Sequence, residues 1–151
     1  MPARLVVLIL LGSVLAGCED ESSPPEVEVF SGELAIAEIK ELPPYTYHYT
    51  DTVVLTVDGS IYRLEHITNE SNLCSSRGKV VGFGTNILRL TPTSTDHQNC
   101  DSIKVPQGEF KSVFRGDSLY LGPSAHPFTW IDSSSMNEHT DTMIYDFRLT
   151  K

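Results

Sequence analysis

Imidazoles, thiols, one serine–histidine pair and a run of alternating tyrosines are the groups in this 151-residue chain with the types and spacing to do chemistry. The histidines, His48, His66, His97, His126 and His139, fall in neither an H-E-x-x-H nor a Cys/His zinc spacing, so no metal site and no cofactor is expected. Asp96-His97 and His139-x-Asp141 can each set an imidazole beside a carboxylate, but both lie in polar stretches that read as solvated loops. Gly122-Pro-Ser124-Ala-His126 has the residue types of a hydrolase without the strand-to-helix turn that exposes a nucleophile. With no phosphate-cradling glycine loop either, the expectation is that the chain is not an enzyme. Tyr45-Thr-Tyr47-His48-Tyr49 follows Pro43-Pro44, and alternation places Tyr45, Tyr47 and Tyr49 on one face of an extended segment. Together with Trp130 they are the candidate ligand-facing residues, against the plainer alternative of core or rim packing.

The elements that position these groups begin with a targeting segment. Arg4 supplies positive charge, Leu5 to Leu11 is unbroken aliphatic sequence, and Gly12-Ser13 precedes a small-residue site. A helix over residues 5–16 rises roughly 18 Å, short of a hydrocarbon core of about 30 Å, so a permanent span is not expected. Leu15-Ala16-Gly17-Cys18 resembles the lipobox of bacterial lipoproteins. The resemblance implies that residues 1–17 are a signal peptide, that diacylglycerol is attached to the Cys18 thiol, and that Cys18 becomes the mature N-terminus. It also implies a lipid-anchored protein of the bacterial cell envelope. Glu19 stands where Asp favours inner-membrane retention, so the outer membrane is the expected destination, with the leaflet open. An ordinary signal peptide with a chance cysteine is the alternative reading. Once Cys18 is assigned to lipid, Cys74 and Cys100 are an even pair in an oxidising compartment, and a disulfide is the expected state; a metal pair or free thiols are the alternatives.

Removal of residues 1–17 leaves 134, enough for one domain with its own core. Arg4 is the only charged side chain lost, so 10 basic residues face 20 acidic ones, a formal charge of about −10. Nucleic acid is therefore not an expected partner; the preferred reading is that the acidic surplus keeps the protein soluble, with cationic peptides, basic proteins or divalent ions as compatible partners. Residues 18–26 are the lipidated cysteine and a charged, proline-containing tether without apolar groups, and the folded domain runs over 27–151.

From Val53 onward the apolar pattern has a period of two. Asp58-Gly59 as a two-residue loop pairs Val57 with Ser60, Leu55 with Tyr62 and Val53 with Leu64. Thr85-Asn86 as a second turn sets Phe83 against Leu88 and Val81 against Leu90, with Pro92 ending the strand. Gly116-Asp117 sets Phe114 opposite Leu119, with Phe110 and Leu121 on the same face. The last strand points Met143, Tyr145, Phe147 and Leu149 inward. Residues 33–42 fit either a helix or a strand, and the strand is preferred. Phe128-Thr-Trp130 reads as a short strand, and 68–78, 91–102 and 132–141 read as loops.

Successive hairpins, each with one apolar face, predict an all-β antiparallel meander closing into a small β-barrel, with a β-sandwich as the alternative. The Asp58-Gly59 hairpin, the hairpin over 78–90 and Gly116-Asp117-Ser-Leu-Tyr-Leu121 resemble those of small lipocalin-like, calycin-type lipoproteins. Trp130 is the sole tryptophan, so the Gly-x-Trp signature of true lipocalins near the first strand is missing. The functional expectation is a non-catalytic, membrane-anchored lipoprotein that binds a small apolar ligand in its barrel. The alternative is a structural or inhibitory module that binds an envelope protein, and an envelope hydrolase ranks last. An apolar hollow separates the first from the second.

Overall fold

The computed structural model describes residues 26–68, 70–96, 100 and 104–151. The expectations for residues 1–17, Cys18 and His97 lie outside the described residues. Eight strands follow one another in chain order: β1 (Glu28–Lys40), β2 (Tyr45–Asp58), β3 (Ile61–His66), β4 (Ser76–Val81), β5 (Ile87–Thr95), β6 (Gly108–Arg115), β7 (Ser118–Ile131) and β8 (Glu138–Thr150). Each pairs antiparallel with the next, and β1 pairs with β8, so the meander closes into a barrel. Closure satisfies the ladder hydrogen bonds that an open sheet leaves at its edges.

The period-two pattern decides which side chains fill the interior. Leu34 and Ile36 of β1, Val53, Leu55 and Val57 of β2, and Met143, Tyr145, Phe147 and Leu149 of β8 all point inward and are buried. Strand pairing rather than helical periodicity therefore governs residues 33–42: Leu34 and Ile36 are buried, whereas Ile39, which a helix would have shared with Ala35, is exposed. Tyr62, Phe110, Phe147 and Tyr145 are the bulky side chains of one continuous core, in which no residue is more than 3 % exposed. A hollow of ligand size leaves solvent-sized space against its lining, and these side chains have none. The middle of the barrel is packed by its own side chains, and Tyr49, Phe83, Phe114 and Phe128, packed against it, are partly buried.

Three details of register depart from the sequence expectation. The β2–β3 turn is Gly59-Ser60, not Asp58-Gly59, so Asp58 pairs with Ile61, Leu55 with Leu64 and Val53 with His66. The shift is by two, so every inward residue stays inward. Between β4 and β5 the connection runs over 82–86, and Gly82 and Gly84 adopt φ of 79° and 84°, conformations that a two-residue Thr85-Asn86 turn does not require. Val80 consequently opposes Leu90, Val81 opposes Arg89, and Val81 is turned out into solvent. Pro92 does not end β5. The strand continues to Thr95, because a register shift at Arg77/Gly78 lets Pro92 sit opposite Gly78. The Gly116-Asp117 turn has the expected pairing, with Phe114 opposite Leu119.

The polar runs read as loops are shorter than expected. β4 already starts at Ser76 and β8 at Glu138, and Phe128–Trp130 belong to the 14-residue β7 rather than to a separate short strand. β1, β2, β7 and β8 are 13 or 14 residues long, against 6 to 9 for β3 to β6. The order β2-β1-β8-β7 therefore rises as a four-stranded wall above the shorter half of the barrel.

Candidate functional site

The inner face of this wall carries the site. Alternation along β1 continues the apolar series Phe30, Leu34, Ile36 into Glu38 and Lys40, and Lys40 lies opposite Tyr45, Glu38 opposite Tyr47 and Ile36 opposite Tyr49. Across β8 and β7, His139 lies opposite Trp130 and Asp141 opposite Phe128. Tyr45, Tyr47, Tyr49 and Trp130 thus share one concave face, with the tyrosines on β2 and the tryptophan on β7. At about 4.8 Å per strand the two aromatic flanks stand roughly 14 Å apart, with an ionic floor between them.

The tyrosines form a ladder. Tyr45 and Tyr47 meet edge to face at 4.5 Å, and Tyr47 and Tyr49 are 6.1 Å apart. The Tyr47 hydroxyl donates to that of Tyr45 at 2.7 Å. Tyr45 and Tyr47 are each 41 % exposed, whereas Tyr49 packs against the core. The rim beyond them is apolar as well: Leu42 in the β1–β2 turn, Ile67 after β3, and Ile131 and Met136 around the β7–β8 turn are all exposed.

The floor is a network of four charges. Lys40 Nζ lies 2.5 Å from Glu38 Oε1 and 3.3 Å from Asp141 Oδ2, and Lys104 Nζ lies 3.2 Å from Glu38 Oε2. Trp130 Nε1 donates to Asp141 Oδ2 at 3.0 Å, and the backbone amide of Glu41 donates to Asp141 Oδ1 at 2.9 Å. Glu38, Lys104 and Asp141 are buried. Burial pushes the Glu38 carboxyl up, but hydrogen bonds to Lys40 and Lys104 and their positive charges outweigh it, and the group is held below its ordinary value. Desolvation likewise depresses the Lys40 amine, and its bonds to Glu38 and Asp141 reverse the sign and raise it. His139 stacks on Trp130 at 5.0 Å, with Nδ1 3.9 Å from Glu41 Oε2 and a buried Nε2 that has no hydrogen-bond partner.

Lys104 comes from the long β5–β6 connection, not from the wall. Cys74 and Cys100 form a disulfide, and the Cys74 amide donates to the Lys104 carbonyl at 3.0 Å. Leu73, Cys74, Lys104 and Val105 are buried, so the described residues on either side of the disulfide pack into the fold. The β3–β4 loop is also tied to β2: Asp51, fully buried, accepts from the Glu70 amide and the Ser71 hydroxyl.

His139 and Asp141 are therefore not solvated loop residues. β8 starts earlier than the polar composition suggests and carries both onto the inner face. The hydrolase-like pair is also brought together, with Ser124 Oγ 3.3 Å from His126 Nε2. Ser124 is buried and His126 packs beside Tyr145, so the pair is an interior contact. Burial lowers the His126 pKa, partly offset by a hydrogen bond to the Gln107 backbone. The described residues hold no group of three or more His, Cys, Asp or Glu able to bind a metal. Two open depressions lie elsewhere, one of about 810 Å³ along β3 and β4 and one of about 520 Å³ beside Val113, Tyr120 and Arg148.

Sequence reasoning missed Glu38, Lys40 and Lys104, and assigned Asp141 to a solvated loop. For three of them a signal existed: Glu38, Lys40 and Asp141 occupy positions that continue an inward apolar register, where a charge must find a partner. Lys104 has no such local mark. No known protein family, curated protein or solved structure matches the chain.

Proposed function

We propose that the protein is a lipid-anchored, non-catalytic component of the bacterial cell envelope that works as a protein-interaction module, structural or inhibitory, through the aromatic crown at the top of its barrel. The observation carrying this reading is the contrast between a filled interior and an exposed aromatic end. A small apolar ligand needs a lined hollow, and the packed core argues for recognition on the outside instead. Tyrosine and tryptophan are the residues that contribute most where protein surfaces meet, and here Tyr45, Tyr47 and Trp130 stand together among exposed apolar rim residues.

Chain direction supports the same reading. β1 starts and β8 ends at the pole opposite the crown, where Lys151 binds Glu28 and donates its amide to the Asp117 carbonyl. A tether from Cys18 to Glu26 joins at that pole and reaches at most about 28 Å. An anchor at Cys18 in the outer membrane, which the lipobox and Glu19 favour, turns the crown away from the bilayer.

Two measurements test the reading. Cys18→Ser is expected to abolish lipid labelling and release the protein from membranes; unchanged retention overturns the anchor. A photo-crosslinking side chain at position 47 is expected to capture an envelope protein in living cells, while one at the exposed Ile61 of β3, away from the crown, does not. Equal capture from both positions, or an apolar ligand retained in native mass spectrometry, overturns the crown as the working surface.

A further inference from the structure

We propose that the crown receives a cationic partner, specifically an arginine- or lysine-bearing segment of another protein, with the charged group seated on the tyrosine ladder. The assignment rests on the crown being the interaction surface and adds the chemistry of what it takes. The innermost rung already performs this recognition within the chain: Lys104 Nζ sits 5.0 Å from the centroid of the Tyr49 ring. Tyr47 and Tyr45 extend the same array of rings outward into solvent. A cation within about 6 Å of such a ring gains roughly 0.5–2 kcal/mol, more as water is excluded.

Charge around the ladder points the same way. The two lysines of the crown, Lys40 and Lys104, are held by Glu38 and Asp141, so the floor is neutral overall. The exposed charges nearest the ladder are carboxylates, Glu41 and Glu138 among them, with Glu70 on the β3–β4 loop, and neither 41–50 nor 131–141 holds a lysine or arginine. Asp132, in the β7–β8 turn, is held at a pKa of about 2 by hydrogen bonds from Ser135 and Ser134, and so stays ionised throughout the physiological range. An acidic rim attracts a basic segment at long range, and the aromatic faces hold it at short range.

Trp130 is the chain's only tryptophan and lies across the floor from the ladder, so its fluorescence reports on occupancy directly. The full chain in neutral detergent is titrated with hexa-arginine, with hexaglutamate and with neutral chitohexaose. The expected result is a saturable change with hexa-arginine alone, weakening as salt is raised. Replacing both Tyr45 and Tyr47 by leucine is expected to weaken it at least tenfold, whereas replacing both by phenylalanine, which keeps the ring faces, is expected to retain it. Asp58→Asn, at the opposite pole, is expected to leave it unchanged. The proposal is overturned if hexa-arginine gives no saturable change, if chitohexaose alone does, or if the leucine variant binds as tightly as wild type. An equal loss in Asp58→Asn overturns it too, because diffuse charge then explains the binding. A chain that cross-links a partner through position 47 yet ignores hexa-arginine refutes the cationic assignment and leaves the crown itself standing.

Discussion

Lys104→Met removes one charge from the floor and keeps most of the side chain's bulk, which isolates the electrostatic contribution of Lys104. In the native protein Lys104 Nζ lies 3.2 Å from Glu38 Oε2 and 5.0 Å above the Tyr49 ring, with both Lys104 and Glu38 buried. A hydrogen bond to a charged group contributes about 1.5–3 kcal/mol and a desolvated cation–ring contact about 0.5–2 kcal/mol. Glu38 keeps Lys40 at 2.5 Å, so the loss falls short of that for a fully orphaned buried charge. The expected destabilisation is about 2–4 kcal/mol at pH 7, which for a domain of roughly 125 residues lowers Tm by about 8–15 °C. Its pH dependence is the sharper signature. The folded pKa of Glu38 is depressed below its ordinary 4.5, so its contribution is present above that value and lost as pH falls through the lowered one. Urea unfolding of wild type and variant at pH 7 and at pH 3 measures both effects. A destabilisation under about 0.5 kcal/mol at pH 7, or an undiminished gap at pH 3, refutes the account of the floor as a charge network held by Lys104.

Cys74→Ser opens a loop whose ends are 26 residues apart, and chain entropy sets the loss at about 3.5 kcal/mol. Denaturant melts should show that difference for oxidised protein and little of it under full reduction. Gly108→Ala places a Cβ about 2.5 Å from His126 Cε1 at a backbone φ of 88°, so clash and strain combine to cost about 2–3 kcal/mol; a melting temperature within 2 °C of wild type contradicts the close approach. The depressed pKa of His126 means that its neutral form contributes stability above pH 6.5 and loses it as pH falls toward the folded value. His126→Gln should flatten the fall in stability between pH 6.5 and 5, and an unchanged slope assigns that fall to other groups.

Alternation was enough to read most of the barrel, because a strand that buries one face must repeat its apolar residues every second position. The inward set of β8 and the Gly116-Asp117 hairpin follow from that rule alone. Alternation is blind to a register shift by two, which is why the β2–β3 turn could move to Gly59-Ser60 without turning a side chain over. It fails at Val81, where a longer glycine-bearing loop shifts the pairing by one and exposes a residue that the pattern places inside.

By itself the sequence determined the class of fold, the cysteine pair that became the disulfide, and the shared face of Tyr45, Tyr47 and Tyr49, since each depends on residues close in the chain or on a simple count. Only the tertiary structure decided that Trp130 stands across the same concavity, that Lys104 reaches Glu38, and that Asp141 serves Lys40 and Trp130 at once. Apart from the Trp130–Asp141 bond across the β7–β8 hairpin, those contacts join segments tens of residues apart, and their geometry comes from strand length and barrel closure. A buried charge is paired by whatever the closed sheet brings to it, and no local pattern names that partner in advance.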